Sequence, residues 1–316
     1  MYYNVTVFWF QGGDYFIMSG FMDEWVNDGL AREDRFGELF QIHRDTPDGR
    51  EISGLRIIRI PASEEEYETA KKTVLAEEEA HELFYEMLER ITGECRVMES
   101  LSENPNILGC REYEAVENEE GFGWTVYIRT ELLRPLLSYA GECPMTVPDV
   151  VQLGIEIADA LAGCRMFEII HRDVSPETIF VTEDRHFKLG GFDLAHEREK
   201  VASDRAKKNQ GTYVSPEQYG GKNYSYESDQ YSLGLILYRF LNHDRMPFYP
   251  PSSQPVRYHD RELARQKILD GKTVPPPDGA DEALGAIIQK ACAFKPERRY
   301  GSAAELRDAL LAYANS

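Results

Sequence analysis

The sequence predicts an α+β fold in two parts, a small strand-rich region followed by a larger helical one. Three observations predict it. ISGLRIIRI, residues 52–60, is a β-branched apolar run that ends at Pro61, the mark of a buried strand. A long Glu-rich stretch follows, in which Phe84, Leu88, Ile91, Cys95 and Met98 recur every three or four residues as one helix face. From about residue 134 onward the pattern is mostly helical.

The elements can be justified in order. MYYNVTVFWF is apolar, but it lacks the leading basic residues and small-residue cleavage site of a secretory signal. QGGDYF then gives a turn, so residues 1–20 read as an extension that contains a hairpin over 3–20. Residues 21–133 form the strand-rich part and 134–316 the helical part. Ser63 offers a helix N-cap, with Glu66 three residues on as the capping-box partner. WTVYIRTELL, 124–133, is a second strand running into a connection. Thr146 and Asp149 flank Pro148 at a helix start, and VVQLGIEIADALAGC carries its apolar face. YSLGLILYRFL is apolar nearly all round and so predicts a buried helix. DEALGAIIQKACA and SAAELRDALLAYA are amphipathic, the latter with a Ser302/Glu305 capping box. PFYPPSSQP and VPPPDG are loops.

Bulk composition narrows the function. The formal net charge of −20 repels phosphate backbones and anionic lipid, which argues against nucleic acid and membrane partners. No apolar run reaches the length of a membrane span. Five scattered cysteines, with no C-x-x-C and an odd total, suit reduced thiols in the cytoplasm better than a disulfide framework or zinc site.

Five segments carry chemistry: IIHRDVSPETIFV (169–181), KLGGFDLA (188–195), GTYVSPEQY (211–219), SDQYSLGLILY (228–238) and AFKPERRY (293–300). Their order and spacing resemble the eukaryotic-like protein kinase superfamily, in its bacterial serine/threonine kinase form, across roughly residues 25–315. The resemblance implies a two-lobed fold and a cleft in which chemistry is mostly positioning and charge neutralisation. It also shows where this chain departs.

The Gly-rich phosphate loop aligns with REDRFGEL, 32–39, where only Gly37 survives. Arg32 and Asp34 stand at the other two glycines; Asp34 puts a negative charge where anionic phosphates would lie, and two like charges about 4 Å apart repel by roughly 4 kcal/mol at an effective dielectric of about 20. Arg56 takes the place of the phosphate-holding lysine, an exchange that is not neutral at a bidentate site. Glu94 matches the helix glutamate, and an Arg56–Glu94 clamp is expected. Thr130 corresponds to the residue gating the back wall of the nucleotide pocket, and Glu131 to the hinge.

In the catalytic loop His171, Arg172 and Asp173 match H-R-D, with Asp173 at the base position, retained but expected to be unused. Ser175 stands at the lysine position and Thr178 at the metal-binding asparagine. Gly191 replaces the metal-binding aspartate before Phe192. Asp193, two residues on, lies some 6–7 Å further along an extended segment, too far to stand in. Glu217 and Arg299 match a buried ion pair, Asp229 the brace of the catalytic loop, and Met98, His171 and Phe192 part of an apolar stack. Ser203, Thr212 and Ser215 are candidate phosphorylation sites, and the segment before YVSPE is two residues shorter than the family pattern.

The implied reading is a pseudokinase, with no cofactor and no metal expected. It would act as a regulatory or scaffolding module on another protein, an active kinase or signalling enzyme. The alternative is a low-activity serine/threonine protein kinase that uses ATP with magnesium.

Overall fold

Five antiparallel strands in the order β1-β2-β3-β5-β4 make the first sheet of the computed structural model, which describes residues 25–34, 37–74, 77–118, 121–192, 212–219 and 225–316. The hairpin expected over 3–20 lies outside the described residues. β1 (Val26–Asp34), β2 (Gly37–Thr46) and β3 (Gly49–Ile60) pair in sequence. Pro47 and Asp48 link β2 to β3, with the Thr46 hydroxyl donating to Gly49 O at 2.7 Å across the turn. β4 (Cys110–Glu117) and β5 (Trp124–Thr130) complete the sheet. β3 is buried continuously from Ser53 to Ile58, as a strand covered on both faces should be. Ile52, placed in the buried run by sequence, is instead 54 % exposed.

Between β3 and β4 come α1 (Glu64–Val74) and α2 (Glu77–Ser100). The Ser63 hydroxyl accepts from Glu66 N at 3.2 Å, while the Glu66 carboxylate accepts from Ala62 N at 2.5 Å, one residue earlier than in a standard capping box. α1 places Glu64–Glu66 in its first turn and Lys71 and Lys72 in its last, complementing the helix dipole. All five residues of the predicted α2 face are buried, and α2 packs on β4 and β3. On the other sheet face Trp25, Ile42, Leu55 and Ile57 cluster, and the Trp25 ring lies about 5 Å from the guanidinium groups of both Arg44 and Arg129.

The second unit holds a small sheet of β6 (Arg134–Pro135), β7 (Ile179–Val181) and β8 (Phe187–Leu189). Its helices are α3 (Leu136–Glu142), α4 (Val147–Met166), α5 (Pro216–Tyr219), α6 (Tyr226–Leu241), α7 (Tyr258–Leu269), α8 (Glu282–Ala291) and α9 (Ala303–Ala314). Thr146 and Asp149, which mark the expected helix start, form a capping box on α4. Ser302 caps α9 through Glu305 N, and again the glutamate reaches one residue back, to Gly301 N at 3.0 Å. α4, α6 and α9 meet at Gly154, where a Cβ would lie 2.7 Å from Leu310 Cδ1 and 2.9 Å from Leu237 Cδ1.

Among the described residues the first unit comprises 25–103 and 108–133, and the second 104–107, 134–192 and 212–316. Residues 104–107 belong to the second because Asn106 O accepts from Leu189 N at 2.8 Å and Asn104 Nδ2 donates to the Asp159 carboxylate at 3.2 Å. No helix among the described residues is long and apolar enough to cross a membrane.

Candidate functional site

In the first unit the candidate residues sit on strands. Gly37 opens β2 with φ +111°, and a Cβ there would lie 2.6 Å from Ile57 O. Its lack of a side chain is therefore required by packing on β3 alone. Arg32 pairs with Leu39 within the β1–β2 ladder, directly after a register shift between Leu30 and Arg32, so the first of the two replaced glycines lies in strand beside a bulge. Arg56 is buried on β3 between Leu55 and Ile57. Both neighbours face the Trp25 cluster, so Arg56 projects to the opposite face of the sheet with Ile58. Glu94 lies half-buried on α2, one turn before the buried Met98.

Thr130, the gating position, is buried opposite Gly54. Its carbonyl accepts from Ser53 Oγ at 2.7 Å and its hydroxyl donates to Glu131 O at 3.2 Å. A Cβ on Gly54 would meet Leu39 Cδ1 at 3.1 Å, so Leu39 leans into the space a methyl group would take. Glu131 lies 3.9 Å from Arg111.

In the second unit Asp229, at the start of α6, accepts from His171 N at 2.8 Å and Arg172 N at 2.9 Å. These charge-assisted bonds pin the loop while Arg172 holds the left-handed φ of +70°. His171 Nε2 lies 3.0 Å from Gly190 O, and Asp173 N donates to His171 Nδ1 at 3.4 Å. That pattern assigns the neutral tautomer with the proton on Nε2. Phe192 meets the imidazole edge-on at 4.8 Å.

Thr178 is fully buried in the short 3-10 turn Pro176–Thr178. Its hydroxyl accepts from Ser175 N at 3.1 Å and shares its proton between Asp173 O at 2.8 Å and Ser175 O at 3.0 Å. The side chain at the asparagine position is thus turned inward to tie residues 173–178 together. Gly191, at the aspartate position, has φ +75° and no side chain. Magnesium requires oxygen ligands at about 2.1 Å, with carboxylate or carbonyl oxygen preferred, and the side chains at these two positions supply neither. Neither of these two side chains fits the coordination of an ATP-bound divalent cation. Among the described residues no group of three or more His, Cys, Asp or Glu side chains could hold a metal. Asp193 lies outside the described residues. Asp173 is half-buried, and Ser175 is buried with no hydrogen-bond partner for its hydroxyl among the described residues.

The brace around this loop is complete. Glu217 on α5 takes two hydrogen bonds of 2.7 Å from Arg299. The Arg299 side chain is fully buried and also donates to Ala293 O and Glu227 O. Burial pushes the Glu217 carboxyl up, but the Arg299 hydrogen bonds and charge outweigh it and hold the group below its ordinary value. Ser215, a candidate phosphorylation site by sequence, is fully buried and donates to Gln218 Oε1 at 2.7 Å, so phosphate cannot be placed there in this conformation. Thr212 is exposed, and Ser203 lies outside the described residues.

Two anchors escaped the sequence reading, which took Thr178 only as a lost ligand and passed over Tyr213. The Tyr213 phenol accepts from Arg239 at 2.6 Å and its carbonyl accepts from Ser232 Oγ at 2.7 Å. Burial raises that phenol to about 12. The available signal was the placement of Tyr213 inside GTYVSPE, directly before the residues of the ion-pair segment.

A family profile described as protein kinase domain matches residues 56–310. The chain belongs to the protein kinase family. The match begins at Arg56, downstream of the strand in which Arg32 and Asp34 stand. This kinase domain is 29 % identical over 228 residues to a probable serine/threonine-protein kinase of Clostridium perfringens, covering 70 % of this chain and 31 % of that one. It is 32 % identical over 211 residues to the serine/threonine-protein kinase PknB of Mycobacterium leprae, covering 63 % and 32 %. It is 31 % identical over 242 residues to the tyrosine-protein kinase MasK of Myxococcus xanthus, covering 71 % and 35 %. The chain spans about a third of the length of these relatives. Its α+β architecture, a five-stranded sheet with a long helix followed by a helical unit, is that of the kinase fold.

Proposed function

We propose that this kinase domain is a pseudokinase, a kinase fold kept as a regulatory or scaffolding module that binds another protein, an active kinase or signalling enzyme. The observation that carries the reading is the inward Thr178 hydroxyl beside a side-chain-free Gly191. Kinases neutralise phosphate charge with metal held at those two positions. Loss of one preorganised charge-stabilising group costs roughly 10²–10³ in rate, and here the lysine position is changed as well. From the roughly 1–100 per second of a working kinase, turnover falls to a negligible level. Arg56 and Glu94 then pair as a clamp within the small unit that needs no nucleotide. The cytoplasm is the proposed compartment, in keeping with five free cysteines.

A second reading, a low-activity serine/threonine kinase using ATP and magnesium, is favoured by the braced Asp173 loop and by relatives named as kinases. One assay separates the two. The purified chain is incubated with γ-labelled ATP, magnesium or manganese and a general protein substrate such as casein. The pseudokinase reading expects no more label than Asp173→Asn gives. Label well above that variant supports the kinase.

A further inference from the structure

Helix α7 carries a row of basic side chains in an acidic chain. Arg257, its N-cap, is followed at intervals of four by Arg261 and Arg265, so the three guanidinium groups form a ridge along one side. Tyr258 stands beside that ridge, three residues from Arg261 and seven from Arg265, and is 79 % exposed. Only Ala264 of the helix is buried.

The helix's carboxylates are already engaged. Asp260 caps the helix start by accepting from Arg257 N at 2.8 Å, Glu262 pairs with Arg265, and Asp270 accepts from Gln266 at 2.8 Å. Arg257 and Arg261 have no carboxylate partner among the described residues. Two guanidinium groups without a carboxylate partner among the described residues, next to an exposed aromatic ring, are the ingredients of a protein-binding hot spot, for which Arg and Tyr are the favoured residue types. Their charge selects an acidic partner. The formal charge of −20 makes a densely charged polyanion or anionic membrane unfavourable, whereas a short segment meets only the local ridge within a Debye length of about 8 Å.

We propose that α7 is a docking site for an acidic protein segment whose carboxylates pair with Arg257 and Arg261 while an apolar side chain covers Tyr258. The proposal goes beyond the pseudokinase reading and does not depend on it.

The test titrates the full chain, without nucleotide, into a short labelled peptide of Glu and Asp around a central Leu and follows fluorescence anisotropy. Saturable, salt-sensitive binding is expected. The double variant Arg257→Glu/Arg261→Glu should weaken it at least roughly tenfold, and Tyr258→Ala by a similar factor. The matching Gln/Asn peptide should not bind. These side chains are exposed, so an unchanged melting temperature confirms that each variant is folded. Equal binding by wild type and charge-reversed chain overturns the proposal, as does no saturable binding of the acidic peptide. Preferential binding of duplex DNA or phosphatidylserine vesicles overturns the assigned partner. Failure here leaves the phosphoryl-transfer assay untouched, and label transfer by the purified chain would sink the pseudokinase reading without bearing on α7.

Discussion

The Glu217–Arg299 brace and the 173–178 loop lie in the same unit and are both built from polar groups, yet they treat the kinase pattern in opposite ways. In the brace every motif residue is kept, and each charge ends on a protein partner: Glu217 on Arg299, and Asp229 on the loop amides. In the loop Thr178 stands at the position of the metal-binding asparagine, and its side chain turns inward to hold the backbone. On the pseudokinase reading, residues whose partners lie inside the protein persist, and those whose partners would be phosphate or metal do not. A fold can be held for its shape after the groups that served its chemistry are gone.

The comparison can be broken most forcefully at the brace. Arg299→Met should cost about 3–5 kcal/mol in denaturant unfolding, because it strands the buried Glu217 carboxylate. Loss of under about 1 kcal/mol would mean that the pair is dispensable. Asp229→Asn should cost about 1.5–3 kcal/mol by weakening two charge-assisted bonds. In the loop, Thr178→Val should cost about 1–3 kcal/mol by leaving Ser175 N and two carbonyls short of a partner, and Thr178→Ser should recover most of it. If Val is tolerated as well as Ser, the inward hydroxyl is not what holds the loop.

Smaller effects come from titration. Glu217 has a folded pKa below its ordinary value, so the stability it contributes is present above the unfolded value of about 4.3 and is lost as pH falls through that value toward the folded one. Arg299→Met should flatten that part of the stability–pH curve. His186 is raised by its hydrogen bond and charge pairing with Glu156. Its contribution is present below about pH 6.5 and lost as pH rises through the higher folded value. His186→Gln should therefore remove only a slight neutral-pH slope, since the His186 side chain is more than half exposed and its charge is screened by water.

How much of this was legible in the sequence follows from how local each feature is. The α2 face, the buried α6 and the caps at Thr146 and Ser302 depend on residues within a turn or two, and periodicity finds them. The three-residue strands β7 and β8 inside the helical part went unseen, being too short to carry a period of two. The outward position of Ile52 and the burial of Ser215 depend on what lies across the fold, which an apolar run or a lone serine does not encode. At the site the motifs proposed the candidate residues by their place in the pattern. They could not foresee that Thr178 Oγ1 would be spent on Ser175 and Asp173, because its geometry is set by the turn Pro176–Thr178.

The most direct test of the central claim is the melting temperature of the purified chain in ATP with magnesium against ATP with chelator. Binding of a metal–nucleotide complex to the folded state would raise it by mass action. The account predicts superimposable curves for the natural chain, and a metal-dependent rise once Gly191→Asp, Thr178→Asn and Arg56→Lys are combined in a folded variant. A metal-dependent rise in the unaltered chain would contradict it.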